Sequence, residues 1–482
     1  MEGYQDFINS KFLLAKESGF DLPIDALNPE SYGEKYQFQP HIVQWQLRLG
    51  RSGCYANYGR GKTRMQLEWA KHTASYTDAR TLILAPLAVA EQTVSEGEKF
   101  RIQVDYAESA ATANRSKSSI IITNYDRLDK LEPVLSQFKA IALDESSILK
   151  NWTGKTKQFL CDWFKGFEFK SCYSALPAPN NPLEWQGQAE FLEIQGWDQL
   201  LTRFFIRNSM KAGDYKLKPH SRRDFWRWIS SWAVCLNMPS DLGFSDEGWD
   251  LPPLNVVNHI IPVDHTMGLG EECDRDGQLT LIRTPSNSAT TVHKEQKKNA
   301  ALLARKVAEI IENEPDETWQ IWTFTDYEVD ELEKVIPGLT ILRGSETRAS
   351  KHKKLTGYSQ GIYKRFSTKP EIAGLGMNWQ HCHKVIFVMG SSYSFEQYHQ
   401  ALHRNYRNGQ TEAVDVHRVF AETAGNVQSR LVEKEHEYKL QQIGFRQAVA
   451  EQKLIHCNGL KLDDYEPQVI MEIPSWAQSK TA

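Results

Sequence analysis

Short runs of aliphatic and β-branched residues recur along this chain with helix-like stretches between them, and no other feature restricts its fold as much. Thr81 to Pro86, Ser119 to Tyr125, Ala140 to Glu145 and Ser171 to Pro177 form one series. Each is too short for a helix and largely apolar, the pattern of parallel strands covered on both faces and joined by crossover helices. A second series opens with a helical stretch from Asn299 to Asn313. It continues through Trp319 to Thr325, Leu339 to Gly344, Ile362 to Thr368, Lys384 to Met389 and Val414 to Phe420. The chain therefore reads as α/β, and its 482 residues suit two or three domains better than one core.

Ahead of the first series lies Ala56-Asn57-Tyr58-Gly59-Arg60-Gly61-Lys62-Thr63. The preceding Gly53 to Ala56 is apolar enough for a buried strand, and Met65, Trp69, Ala70 and Thr73 follow at helical spacing. A glycine-containing loop between strand and helix, ending in Gly-Lys-Thr, reads here as a phosphate cradle. Gly59 and Gly61 let backbone N–H groups turn inward, Lys62 reaches a terminal phosphate, and the Thr63 hydroxyl suits Mg2+. Ala56 stands where the strict pattern has its first glycine. Asp144-Glu145, at the end of the Ala140 to Leu143 strand, falls at the same sheet edge. There Asp144 is placed to hold magnesium through its water shell and Glu145 to polarise an attacking water.

A formal net charge of −4 confines any nucleic-acid surface to a local path. Seven cysteines without a C-x-x-C pair point to reduced thiols. No run approaches the roughly 18 apolar residues of a membrane span, and the start of the chain lacks a signal-peptide pattern. A cytoplasmic protein with no membrane partner is expected. Between 201 and 230, eight Lys or Arg residues face two acids, and Phe204, Phe205, Phe225, Trp226, Trp228 and Trp232 crowd nearby. That stretch reads either as a small helical core with solvated charges or as a nucleic-acid contact. Leu251-Pro252-Pro253-Leu254 breaks regular structure as a linker. The expected division is a lead-in at 1–35, a first lobe at 36–184, an aromatic-rich helical insertion and linker at 185–260, a second lobe at 261–425, and a C-terminal helix and tail at 426–482. That terminal helix would pack back onto one lobe.

Asp144-Glu145-Ser146-Ser147-Ile148-Leu149-Lys150-Asn151 resembles the D-E-x-H-x-x-K-N stretch of the SWI/SNF-type ATPases of helicase superfamily 2, with Ser147 in place of the histidine. Further likenesses follow in the family's order. Phe38-Gln39-Pro40-His41 resembles the adenine-reading glutamine motif, Leu84-Ala85-Pro86 motif Ia and Thr123-Asn124-Tyr125 motif Ib. Ser174 to Asn180 resembles motif III, with Leu176 replacing a threonine, and Leu251-Pro252-Pro253 the L-P-P signature. Gly374-Leu375-Gly376-Met377-Asn378-Trp379-Gln380 is similar to motif V. Gln400-Ala401-Leu402-His403-Arg404-Asn405-Tyr406-Arg407-Asn408-Gly409-Gln410 is similar to motif VI. The compact linker and modest insertions look most like the helicases of bacteriophage and mobile-element genomes.

The resemblance implies two RecA-like lobes, parallel sheets flanked by helices, with ATP and Mg2+ bound between them. Lys62, Asp144, Glu145, Arg404 and Arg407 would be catalytic. Gln39, Gly59, Gly61, Lys62, Thr63, Gly376 and Gln400 would hold nucleotide, and Thr63 and Asp144 the metal. Pro86, Asn124, Lys150 and Thr368 would touch a nucleic-acid backbone, with duplex DNA the expected partner, RNA a lesser one, and phage or host replication and recombination proteins further candidates. Arg404 and Arg407, three residues apart, are expected on one helix face, pointing across the cleft. Arg60, where the family carries leucine, reads as a cation beside the phosphates or turned to solvent. The altered residues Arg60, Ser147 and Leu176 also leave open a nucleic-acid-binding module with a weak or regulatory ATPase.

Overall fold

The computed structural model describes residues 17–151, 153–208, 213, 215–263, 289–373, 378–389 and 394–452, with backbone alone at 88, 289–296, 348, 425–428 and 449–452. Its strands run in chain order as β1 (Arg51–Ala56), β2 (Arg80–Ala85), β3 (Asp105–Tyr106), β4 (Ile120–Asn124), β5 (Phe138–Asp144), β6 (Phe169–Tyr173), β7 (Phe205–Arg207), β8 (Tyr215–Leu217) and β9 (Ala233–Leu236). The second half contributes β10 (Leu254–Ile261), β11 (Trp319–Trp322), β12 (Thr340–Leu342), β13 (Arg365–Thr368), β14 (Lys384–Val388) and β15 (Val414–Ala421).

Two sheets result, of seven strands in the order β3-β4-β2-β5-β6-β1-β9 and six in the order β10-β15-β14-β11-β13-β12. All their pairings are parallel. Helices join consecutive strands, and the central strands are largely buried, as β5 illustrates with Ala140, Ile141, Ala142 and Leu143 at 0% exposure. Such strands lack a polar face, so helices must cover both sides. The expected α/β architecture of two parallel sheets flanked by helices is what the chain forms. Because each sheet is parallel, the loops after its strands gather at one edge, where the chemistry-bearing residues lie.

The aromatic-rich stretch is helical in part, over Trp185–Phe191, Trp197–Phe204 and Arg222–Ser230. It also delivers β9 to the edge of the first sheet, paired with β1 through Gly53↔Ala233 to Ala56↔Leu236. Phe204, Phe205, Phe225, Trp226, Trp228 and Trp232 are buried in the first lobe's core. The aromatic crowding is thus a packing signal; the stretch through β9 packs with the first lobe, whereas Leu254 to Ile261 pairs with β15 in the second sheet. Among the described residues, β7 and β8 form a separate antiparallel hairpin within it.

The helix Gly425–Gln452 departs from expectation by packing on both lobes. Leu431 lies in a second-lobe cluster, while Phe445 and Ala448 enter the first lobe's core. Lys434 Nζ donates to Asn180 Oδ1 at 2.6 Å and Arg446 Nε to Asp241 Oδ1 at 2.6 Å. A second bridge is apolar. Leu176, in the loop after β6, is 1% exposed and belongs to the second-lobe cluster containing Trp322, Phe366 and Trp379. No described helix is long and apolar enough to cross a membrane.

Candidate functional site

The loop 57–61 joins β1 to the helix Lys62–Thr77. Gly59 and Gly61 take φ of 74° and 81°, a region where a side chain is strained. At Gly61 an added Cβ would lie 2.1 Å from Gln39 Nε2. Gln39 is almost fully buried and donates through Nε2 to Arg60 O at 3.0 Å, while its Oε1 lacks a hydrogen-bond partner among the described residues. The glutamine therefore braces the loop. Lys62 Nζ folds back onto the carbonyls of Ala56 at 2.8 Å and Asn57 at 3.4 Å. Burial draws its pKa down, and Glu145 and Asp144 draw it back up. Thr63 follows in the first helical turn, half-buried.

Asp144 ends β5 and Glu145 follows with φ 50°, a strained conformation for a residue with a side chain. Asp144 is 6% exposed, and Oδ1 accepts the Glu145 N–H at 3.0 Å. Burial, reinforced by Glu145, pushes its carboxyl up to about 7. Glu145 is raised by burial and pulled back by Lys62 and Arg404. Ser174, after β6, reaches Glu145 Oε2 through Oγ at 3.4 Å and accepts the Leu176 N–H at 3.1 Å. Two carboxylates and a lysine thus lie near enough to one another to shift each other's charge, where any bound cation would be felt strongly.

The second lobe presents the helix Phe395–Asn405, capped by Ser394, whose Oγ accepts the Gln397 N–H. Gln400 is 9% exposed and its carbonyl accepts Arg404 Nε at 3.2 Å. Arg404 is buried and electrostatically coupled to Tyr58 and Glu145 of the first lobe. Arg407 is not on the same helix face, because the helix stops at Asn405. The buried Asn405 amide is committed to the carbonyls of Trp379 and Cys382, and Tyr406 takes non-helical dihedrals. Arg407 instead sits in the turn closed by Gly409, with φ 95°, and pairs with Asn378 Oδ1. Burial and the neighbouring Arg404 push its guanidinium down to about 10. Gly376 lies outside the described residues.

The arrangement of the remaining candidates varies. Pro86 precedes the helix Leu87–Phe100 at the C-terminal edge of β2, half-buried. Asn124 is 5% exposed with Oδ1 accepting Tyr106 Oη at 2.9 Å, and Thr368 is fully buried. The two side chains face inward, although both stand at strand C-termini on the edges that carry the site. Lys150 forms an ion pair with Glu396 of the arginine helix, a charged contact between the lobes. Arg60 is not turned to solvent. It is 3% exposed, with Nε donating to Asn237 O at 2.7 Å. The lysine stem of Lys35 adds an interlobe contact, Nζ to Asn408 Oδ1 at 3.1 Å. Lys35 and Asn408 were missed because neither stands out until the fold brings residues 373 positions apart together.

No family model matches the sequence. No curated protein matches it either. Among solved structures the chain is similar to the Sulfolobus solfataricus SWI2/SNF2 ATPase core in complex with dsDNA. Identity is 17%, coverage 80% of this chain and 87% of that one, and the TM-score 0.40.

Proposed function

We propose that this protein is an ATP-hydrolysing motor of helicase superfamily 2 that moves along duplex DNA. One observation carries the reading: the strand end with Asp144 and Glu145 and the glycine loop with Lys62 are joined to the second-lobe segment bearing the buried Arg404 by the Lys150–Glu396 and Lys35–Asn408 contacts, close enough for Arg404 to pull the Glu145 carboxyl down. A cleft that places a lysine, two carboxylates and two guanidiniums around a glycine loop suits phosphoryl transfer, where catalysis is positioning and charge stabilisation.

The residues present fit a nucleotide and its magnesium ion. The glycine cradle, the spare Gln39 oxygen and the inward lysine suit phosphates and a base, and Thr63 with Asp144 supplies oxygen ligands of the kind Mg2+ takes. When bound, the metal would neutralise phosphate charge. Lys62 exchanges its contacts with the Ala56 and Asn57 carbonyls for phosphate oxygens. Glu145 accepts a hydrogen bond from the attacking water and receives its proton, a role favoured by a carboxylate held above its ordinary range. Arg404 and Arg407 meet charge that develops as the γ-phosphoryl leaves.

The order of motif-like stretches across both lobes and the L-P-P linker support duplex DNA as the track. Binding of that kind is to phosphates and weakens steeply with salt. The test is ATP turnover with and without duplex DNA, beside single-stranded DNA and RNA. Stimulation by duplex, lost in Lys62→Ala and Glu145→Gln, is the expected result. Turnover unaffected by either substitution would refute the assignment, and stimulation by RNA alone would move the protein to another branch. The Lys150–Glu396 pair, which occupies a candidate DNA contact, favours a second reading in which the ATPase is weak until nucleic acid displaces it. An undetectable basal rate with strong stimulation would support that version.

A further inference from the structure

The phosphate loop meets the arginine helix through an aromatic contact that the motif reading does not include. The rings of Tyr58 and His403 lie parallel, with centroids 4.4 Å apart and planes 9° apart. His399, one turn earlier on the helix, is 5.5 Å from Tyr58 and 4.5 Å from His403, and its other side meets Phe395 and Tyr438. The His403 ring is fixed by Nδ1, which lies 2.7 Å from the Tyr406 carbonyl. A carbonyl only accepts, so Nδ1 carries the proton and the imidazole is held in one tautomer and orientation.

Tyr58 is 7% exposed, and its hydroxyl has no hydrogen-bond partner among the described residues. Its ring is therefore what the structure uses. The same ring lies 5.5 Å from Lys62 Nζ, so one side chain touches both the loop lysine and the helix that bears Arg404. Gly59 makes the approach possible, since a Cβ there would stand 3.1 Å from Asn408 Cβ.

We propose that Tyr58 is a positioning residue whose ring, stacked on His403, sets the register of the arginine helix on the phosphate loop and so fixes where Arg404 stands relative to Lys62 and Glu145. This rests on the reading of the cleft as an ATPase site. His403 and Arg404 are consecutive in a helix, so a shift of the imidazole carries the guanidinium with it. Stabilisation of developing charge falls steeply when a group moves by about 1 Å. An aromatic stack suits the task because it is sensitive to offset and tilt yet adds no charge to compete for phosphate.

The test compares steady-state ATP hydrolysis by wild type, Tyr58→Ala, Tyr58→Phe, His403→Ala and the Tyr58→Ala/His403→Ala double variant, with duplex DNA present. Each alanine variant should lower kcat on the order of 10- to 100-fold with KM for ATP within about threefold. The double variant should be no slower than the worse single one, and Tyr58→Phe should keep near-wild-type turnover. Circular dichroism confirms that each variant is folded, and Tyr58→Phe guards against a purely structural loss. A kcat for Tyr58→Ala within about twofold of wild type, independent effects in the double variant, or a rise in KM alone would overturn the proposal, the last by placing Tyr58 on the nucleotide. Absence of turnover in wild type would refute the ATPase reading itself, an outcome distinct from normal turnover in Tyr58→Ala.

Discussion

The guanidinium of Arg60 lies 4.6 Å from the ring centroid of Trp249, and its Nε and Nη2 donate to Asn237 O and Met238 Sδ. Arg60 thereby ties the glycine loop to the segment after β9.

From this geometry, Arg60→Leu should lower stability by about 1–3 kcal/mol through loss of a buried hydrogen bond and a ring contact. Lysine should not rescue it, since a point charge cannot span both acceptors and the ring. Thermal unfolding of the two variants checks this. An unchanged midpoint with a KM for ATP raised more than about tenfold would place Arg60 at the phosphates instead.

Leu176, from the loop after β6 of the first lobe, is 1% exposed and packs in the second-lobe cluster. Leu176→Thr should destabilise the protein by about 2–4 kcal/mol, from lost volume and an unpaired buried group. Leu176→Met should cost less than about 1.5 kcal/mol. Urea denaturation of both separates this from a surface role, in which the two would behave alike.

Acid should loosen the contact between the lobes. Burial holds His399 down to about 4, against an ordinary value of 6.5. The groups around it are Tyr58 from the phosphate loop, His403 on its own helix, and Tyr438, Lys439 and Arg446 from the C-terminal helix. None is a carboxylate. The unfolded chain binds more protons between pH 4 and 6.5, so the stabilisation is complete above 6.5 and is lost as pH falls toward 4, on the order of 3 kcal/mol in all. Asp144 and Glu328, both raised to about 7 by burial, act with the opposite sign. The measurement is therefore the difference in pH slope between wild type and His399→Phe over that window. Identical slopes would contradict the assignment.

Phe445 anchors the C-terminal helix in the first lobe's core and faces Trp226 at 6.4 Å. Phe445→Ala should cost about 3–5 kcal/mol and release the helix to limited proteolysis before either sheet. Simultaneous loss of the whole chain would show that the helix is not a separable bridge.

Much of this was legible in the sequence for a physical reason. Parallel strands buried on both faces have to be apolar runs, so β2, β4, β5, β6, β11 and β14 announce themselves. The loop from Ala56 to Thr63 does so because phosphate geometry demands glycines and a lysine at set spacing. The remainder depended on contacts distant in sequence. β10, Leu254 to Ile261, is an edge strand with several exposed positions, and it follows directly on the Leu251 to Leu254 stretch that reads as a linker. β9 was hidden among aromatics that read as helical. Tyr58 and His403 are single ring residues 345 positions apart in numbering, and only the closed cleft makes them a pair. Arg407 was misplaced because a motif spacing of three looks helical even where Asn405 ends the helix.

The central claim is that residues from both lobes form one hydrolytic site. Its most direct test is single-turnover ATP hydrolysis, at saturating duplex DNA, by wild type, Lys62→Ala and Arg404→Gln, with nucleotide binding measured separately. The account predicts hydrolysis by wild type only, loss of binding and turnover in Lys62→Ala, and for Arg404→Gln retained binding with a rate lower by about 10³-fold or more. Arg404→Gln turning over at the wild-type rate would contradict it.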